Sequence, residues 1–508
     1  MRAALIATLA AAALTAGCGS SEPPGAGPAT GTTAAGTGAD PVAEAHATRG
    51  SGRDWTRFGF DAARTDVAPR GISAKRIAGL RERRVGLPGT VDSSPIYLAG
   101  VRAGGARRDL LVLTTSYGRT LGLDAASGRI VWRFTPSSYR TLAGSTQITT
   151  ATPVADPGRG AIYAGSPDGR IHKLRVRDGH EVRSGRWPTS ITRDATHEKI
   201  ASALNVDGRW VLVTTGGYIG DAPPYQGKVV AIDRGSGKAS HVFNSLCANR
   251  RSIIVPRSCG GSDSAIWGRA GAVVDPVSHG IYATSSNGPF DGRTNWGDSV
   301  LALSPGAARL ERHYTPREQA RFEQGDVDLG STSPALLPAA RGGRKTRYLL
   351  QGGKDAQLRL IAVPDGLSGV RGAAGRRLGG ERQILPAPGR QLVFTAPAVR
   401  HAKGRTDVFV ATGGGTAAYR LSGGRLRLAW QNATAGTSPV LAGGVLWVYD
   451  PGGALNAYRA DGGQRIRRLS APAGHWNSPI VAGGRVYLPS GDSNDHATSG
   501  TLSIYAAG

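Results

Sequence analysis

The chain has 508 residues, with 75 glycines and 30 prolines but a single methionine, and 62 Lys and Arg against 36 Asp and Glu give it a formal charge of +26. Short apolar runs bounded by Gly, Asp and Ser dominate over any 3.6-residue period, which excludes a helical bundle and points to an all-β protein. The basic residues are spread along the whole chain, without a dense run or interleaved aromatic side chains. That pattern excludes a nucleic-acid partner and leaves anionic headgroups, cell-envelope polymers or a solvated Arg-rich surface.

In chain order, residues 1–18 read as an export signal. Arg2 supplies positive charge, Ala3 to Leu14 form an apolar run too short to span a bilayer, and Thr15-Ala16-Gly17 precede Cys18. Small residues directly before a Cys resemble the lipobox of bacterial lipoproteins. The resemblance implies that Cys18 becomes a lipidated first residue and anchors the mature chain on the extracytoplasmic face of the cell membrane. An ordinary cleaved signal with an incidental Cys is the alternative. Residues 19–53 are rich in Gly, Ala, Thr, Ser and Pro and poor in large apolar side chains, the composition of a flexible tether.

From residue 54 to 508 a phrase recurs: a Ser/Thr-Pro pair, an apolar strand, a Gly-rich turn, then a strand ending in an Asp-x-x-Ser-Gly turn. Its fullest copy runs from Ser94-Pro95 through Asp124-Ala125-Ala126-Ser127-Gly128 to Trp132. Later copies start at Thr152-Pro153, Ser333-Pro334, Ala396-Pro397, Ser438-Pro439 and Ser478-Pro479, and two near Ala203 and Ala272 lack the proline. A repeat of several short strands buries its apolar face only against its neighbours, and a period near 40 residues favours a propeller.

Eight repeats fit, at about 88–135, 145–187, 197–243, 263–310, 329–366, 391–431, 434–470 and 474–508. The eighth lacks a final strand, and Leu80 to Leu87 has no repeat of its own. An eight-bladed β-propeller closed by that N-terminal strand is the expected fold, because closure removes an open edge.

Cys247 and Cys259 remain as an even pair in an exported chain, which reads as a disulfide. With no nearby His, they fall short of a zinc set.

The chain resembles the quinoprotein-type propellers with pyrroloquinoline quinone (PQQ)-like repeats. Asp54-Trp55-Thr56-Arg57-Phe58-Gly59-Phe60-Asp61 is similar to the family's opening phrase, and Ala231 to Lys238 and Asp124 to Trp132 to its docking motif. In that motif the Trp packs between neighbouring blades, a part that Trp132 and Trp430 fit. The fold serves dehydrogenases and binding proteins alike.

One stretch is similar to PQQ-dependent alcohol dehydrogenases: Ile266-Trp267-Gly268, Asn287-Gly288-Pro289-Phe290, Gly297-Asp298, Asp326-Val327-Asp328 and Gln351-Gly352-Gly353-Lys354. The resemblance implies Trp267 as a floor under a quinone, Asn287 and Asp328 as ligands of Ca²⁺, Asp328 as proton acceptor and Lys354 as a contact to the quinone carbonyls. An oxygen-liganded hard cation polarises a carbonyl that accepts hydride, a carboxylate takes the hydroxyl proton, and an ammonium stabilises the reduced product.

Each residue also has a plainer reading. Trp267 can pack blades, Asn287-Gly288 can form a turn, Asp326 and Asp328 can cap turns, and Lys354 can be exposed. The chain departs from the dehydrogenases in two ways. It has no adjacent cysteines, and Gly216 to Asp221 replaces their metal-binding Glu, with Asp221 as a substitute. The expectation is therefore a membrane-anchored propeller that binds a ligand or a protein partner without bound cofactor, with a PQQ- and calcium-dependent alcohol or sugar dehydrogenase as the alternative.

Overall fold

A computed structural model describes residues 53–338 and 347–507. The export signal, Cys18 and the tether up to residue 52 lie outside them. The strands form eight sheets arranged as the blades of a propeller. Blade one (Ile96–Ala103, Ala106–Thr114, Thr120–Asp124, Ile130–Phe134) is a four-stranded antiparallel meander. Six later blades open on inner strands Val154–Ala155, Asn205–Asp207, Val273–Val274, Ala335–Leu337, Ala398–Ala402 and Val440–Ala442, and the eighth on Ile480–Ala482.

The expected closure is present. Leu80–Leu87 pairs antiparallel with Gly500–Ala507 over its whole length, from Leu80 opposite Ala507 to Leu87 opposite Gly500. Blade eight thus takes its outermost strand from the beginning of the chain, and the ring has no open seam there.

Three blades carry most of their outer strand beyond the sequence limits. Blade two ends on Thr189–Ser190 rather than at residue 187, blade four on Leu310–Tyr314 rather than at 310, and blade five on Glu381–Pro386 rather than at 366. Between the third and fourth strands of blade five, Ser368–Gly369 pairs with the outer strand of blade four. The inserted segment breaks the repeat spacing, so the sequence pattern ends early.

The repeated phrase has a local cause. Asp124 Oδ1 accepts from the Ser127 amide and hydroxyl, both at 2.8 Å, and Asp233 Oδ1 does the same with Ser236. The glycines that follow, Gly128 and Gly237, have φ of 72° and 74°, which other residues enter at a cost. Docking between blades uses the two expected tryptophans. Trp132 Nε1 donates to the Val176 carbonyl of blade two at 3.0 Å, and Trp430 Nε1 to Ala460 of blade seven at 2.9 Å. Each ring lies over a turn glycine, Gly179 or Gly463, where a Cβ would come within 2.4 or 2.6 Å of it.

Residues 54–68 reach across the ring instead of joining one blade. Trp55 bridges to Tyr97 in blade one, and the Thr56, Ala62 and Thr65 carbonyls accept from Ala155, Val274 and Val399 in blades two, four and six. Val67–Ala68 then pairs in parallel with Val440–Ala442 of blade seven. Arg57 and Arg64 are buried beneath this segment on carbonyls of blade three. Phe58 packs with Ala203, Ala270 and Ala396 at the inner ends of three blades, closing the channel. The opening phrase is thus a plug.

The Cys247–Cys259 disulfide is formed, with Cα atoms 6.1 Å apart. It closes the loop that leaves blade three and leads toward Trp267.

Candidate ligand site in the central channel

A cavity of about 290 Å³ opens in the channel above the Phe58 plug. Ala201 and Arg269 line it, while Ala203 and Ala270, a step further along the same strand entries, pack with Phe58. Trp267, Asn287, Asp328 and Lys354 all lie in its wall.

Each comes from a connection and not from a strand. Trp267 precedes the inner strand of blade four, and Asn287 follows Ile281–Thr284 of the same blade. Asp328 stands before the 3₁₀ turn Leu329–Ser331, and Lys354 follows Arg347–Gln351 of blade five. The plainer readings separate here. Asp326 adopts φ 51° as the C-cap of helix Gln319–Gly325 and its side chain is mostly exposed, so it is a capping residue. Asp328 is turned inward and buried.

Lys354 Nζ lies 2.6 Å from Asp328 Oδ2, 3.4 Å from Asp326 and 5.9 Å from the centre of the half-buried Trp267 ring. The other Asp328 oxygen accepts from the Asn287 amide at 3.1 Å. Burial raises the Asp328 carboxyl above its usual range, and the Lys354 charge only partly offsets this. Burial alone would lower the Lys354 ammonium, but the carboxylates around it, Asp328 above all, hold it above its ordinary value.

Asp298, fully buried next to this pair, accepts from the Leu329 amide at 3.0 Å, and its carboxyl is pushed well up by burial. It positions the turn that carries Asp328. Asp221, the proposed stand-in for the missing glutamate, lies at the cavity rim and is exposed. It accepts from the Tyr225 hydroxyl at 2.7 Å, and burial, followed by this pairing, drives the phenol far above its usual range.

The opposite wall escaped the sequence reading. Asp92, Lys199, Arg269, His475 and Trp476 line it. Asp92 is buried and takes Arg269 Nη2 at 3.2 Å, the Trp476 amide at 3.2 Å and the Ser493 hydroxyl at 2.7 Å. Burial would raise its carboxyl, but Arg269, His475 and Ser493 together hold it far below the usual carboxylate range. Burial and the neighbouring Arg269 charge push the Lys199 ammonium down to about 8. Trp267, Phe394 and Trp476 form a chain of ring contacts, at 5.9 and 4.9 Å, that joins the two walls. A signal was available: the bulky Gly474-His475-Trp476-Asn477 run stands directly before the repeat start Ser478-Pro479.

A family model described as outer membrane protein assembly factor BamB matches residues 85–270. Among curated proteins, quinohemoprotein alcohol dehydrogenase ADH IIB of Pseudomonas putida is 24% identical over 329 residues, covering 58% of this chain and 46% of its own length. The dehydrogenase subunit of a quinone alcohol dehydrogenase from Acetobacter aceti is 26% identical over 248 residues, covering 41% of this chain and 32% of its own. This chain therefore spans less than half the length of the curated relatives it matches.

Among solved structures, the quinohemoprotein alcohol dehydrogenase of Comamonas testosteroni superposes with a TM-score of 0.65 at 16% identity, over 92% of this chain and 84% of that one. A europium-containing methanol dehydrogenase gives 0.64 at 15%, over 90% and 98%. The chain is a PQQ-like, quinoprotein-type β-propeller with eight blades. It is related to the PQQ-dependent alcohol dehydrogenases.

Proposed function

We propose that the channel cavity binds a PQQ-type cofactor together with a divalent cation, and that the protein oxidises an alcohol or sugar. The observation that carries this reading is convergence. Four residues chosen by resemblance from 88 positions of chain, Trp267 to Lys354, line one cavity.

The residues suit such a ligand chemically. Asn287, Asp328 and the rim carboxylate Asp221 offer the oxygen donors a hard cation takes. Trp267 and Trp476 offer aromatic surface to a planar ring, and Lys199 and Arg269 offer positive charge to its carboxylates. A PQQ–calcium pair held by these residues would supply a polarised quinone carbonyl as hydride acceptor. Lys354 would bring positive charge to the quinone oxygens, while the Asn287 amide holds the Asp328 carboxylate and Asp298 holds the turn that carries it. The plug below and the aromatic walls restrict water.

A second reading is a binding module without turnover. It is favoured by Asp221, which already serves Tyr225, and by the lack of adjacent cysteines. Equilibrium dialysis with PQQ, with and without Ca²⁺, followed by dye-linked oxidation of primary alcohols and aldoses, separates them. Cation-dependent binding with turnover supports the dehydrogenase, binding without turnover supports the module, and no binding at 100 μM PQQ ends the dehydrogenase reading and leaves a module for another ligand or a protein partner.

We further propose that Cys18 is lipidated and that the propeller works on the outer face of the cell membrane. The lipobox-like Thr15-Ala16-Gly17-Cys18 and the disulfide, which persists in oxidising compartments, support this. Among the described residues no helix is long and apolar enough to cross a membrane. The basic surface suits an anionic cell-envelope polymer as a partner. Metabolic labelling with a fatty-acid analogue that is abolished by Cys18→Ala tests the anchor.

A further inference from the structure

A second cavity, of about 330 Å³, shares no residue with the channel site. It lies where blades eight and one meet the segment that follows the plug, and Arg53, Arg70 and Arg76 stand in its walls. Each arginine is positioned by the local fold. Arg53, the first described residue, directly precedes the stretch in which Trp55 bridges to Tyr97. Arg70 follows the Val67–Ala68 strand that pairs with blade seven. A Cβ on the neighbouring Gly71 would come within 2.3 Å of the Ala442 carbonyl oxygen, so glycine lets the segment lie against that blade. Arg76 belongs to the short helix Ala74–Ile77, whose Ile77 carbonyl accepts from Arg467 Nη1 of blade seven at 2.8 Å.

All three arginines are exposed, and among the described residues no carboxylate pairs with any of them. Two carboxylates share the wall with them. Asp54 is taken by Arg159 at 2.8 Å and by the Ala99 amide at 2.8 Å. Asp109 accepts only from neutral donors, the Tyr97 hydroxyl at 2.7 Å and the Gly100 amide at 2.8 Å. With the Asp54 charge met by Arg159, three guanidiniums face one carboxylate, an excess of two positive charges. The Gly483 and Gly484 amides, in the two-residue turn of blade eight that also lines the cavity, donate no hydrogen bond among the described residues.

The basic cleft between blades two and three is different. There Lys173 donates to the Arg234 carbonyl at 2.8 Å, Arg175 pairs with Asp178 at 2.9 Å, and Arg209 and Arg234 pair with Asp233 and Asp156. Its cations are satisfied within the fold, whereas the three arginines beside blade eight are left for a ligand.

We propose that this pocket holds a phosphate group, that of the headgroup of an anionic phospholipid. Guanidiniums take phosphate oxygens through paired N–H donors, and an excess of two charges matches a phosphate better than a carboxylate. The half-buried Phe60 ring in the same wall offers an apolar side to the carbon skeleton of a headgroup. The lipid source follows from where the pocket lies. The chain arriving from Cys18 enters the propeller at Arg53. Exposed Lys75 on the short helix, and Arg102 and Arg107 facing each other on the hairpin that carries Tyr97 and Asp109, extend the positive charge beyond the pocket. The inference deepens the proposed membrane location and is independent of the proposed oxidation.

The test uses the full-length chain with Cys18→Ser, so that no acyl chain contributes. Sedimentation with vesicles of phosphatidylglycerol and phosphatidylcholine, or of phosphatidylcholine alone, is set beside calorimetric titration of inorganic phosphate and glycerol phosphate. Arg70→Glu/Arg76→Glu removes the site, while Arg425→Glu/Arg427→Glu on the outer strand of blade six changes the net charge equally elsewhere. The proposal expects binding that requires phosphatidylglycerol, weakened at least about tenfold by the pocket pair and less than about twofold by the control pair. Arg70→Gln/Arg76→Gln, which adds no negative charge, should give an intermediate loss at an unchanged melting temperature. Equal losses in the pocket and control pairs would overturn the proposal, as would equal binding to phosphatidylcholine alone. Soluble phosphates that bind without vesicle binding, and are lost in the pocket pair, would overturn the lipid source and leave a site for a free phosphate ester. No binding of either kind removes the phosphate site, whereas fatty-acid labelling that survives Cys18→Ala removes the anchor alone.

Discussion

Blades six and four are copies of one repeat put to different uses. Blade six has strands of 5, 8, 8 and 8 residues, Ala398–Ala402, Arg405–Thr412, Gly415–Ser422 and Arg425–Asn432, joined by two-residue turns. Blade four has strands of 2, 4, 4 and 5 residues, and its long connections carry Trp267 and Asn287 and, beyond its last strand, lead to Asp328. Where the ladder is complete the chain builds the ring; where it is shortened, the freed residues build the cavity. Loops held by a rigid frame are the usual place for binding groups.

If that division is right, damage to blade six should cost stability without touching the cavity. Trp430→Ala removes the ring that docks blade six on Gly463 of blade seven and donates to Ala460. It should destabilise by about 3–4 kcal/mol, read by denaturant unfolding, with the PQQ affinity of the folded fraction unchanged. A parallel loss of affinity would break the comparison.

On the cavity side, replacing both Cys247 and Cys259 by Ser reopens the loop leading to Trp267. A cross-link closing a loop of this size contributes about 3 kcal/mol. Stability and affinity should fall together here, unlike in blade six.

Blade four also contains a pH-sensitive group. Burial pushes His313 down to about 4, with its ring against Trp296 and Phe290. An unfolded chain binds that proton near pH 6.5. Between these values the unfolded state holds more protons, so stability is complete above pH 6.5 and is lost as pH falls toward 4, by about 3 kcal/mol. His313→Phe should flatten that slope in melting curves between pH 4 and 7; an unchanged slope would assign it elsewhere.

The smallest effect is expected at Asp298, whose carboxyl burial raises well above the ordinary range. The folded state then keeps a proton that the unfolded chain loses near pH 4, so this residue makes stability decline as pH rises above about 4. Asp298→Asn should remove that decline and leave stability at neutral pH equal to or above that of the wild type.

The frame was readable because a propeller repeats its instructions. Ser/Thr-Pro entries, Asp-x-x-Ser-Gly turns and docking tryptophans recur locally, and the unassigned Leu80 to Leu87 strand matched the strand missing at the other end. Trp267, Asn287, Asp328 and Lys354 were legible as an ordered series within adjacent repeats. The opposite wall was not, since Asp92 and His475 are 383 positions apart and meet only because the ring closes. Nor was the plug: Phe58 reads as part of an opening phrase, and its contacts with Ala203, Ala270 and Ala396 come from three separate blades. The outer strand of blade five was misplaced because Ser368–Gly369 and the residues around it are inserted between that blade's third and fourth strands.

The central claim is that the shortened blades built a cavity for a cofactor and a cation. Its most direct test is a melting curve of the protein with PQQ and Ca²⁺ together and each alone. A ligand that binds only the folded state stabilises it by about 2.7 kcal/mol at a hundredfold excess over Kd. The account predicts a rise in melting temperature that needs both components and disappears in Asp328→Ala. No shift with both at saturating concentration, or an equal shift in Asp328→Ala, would contradict it.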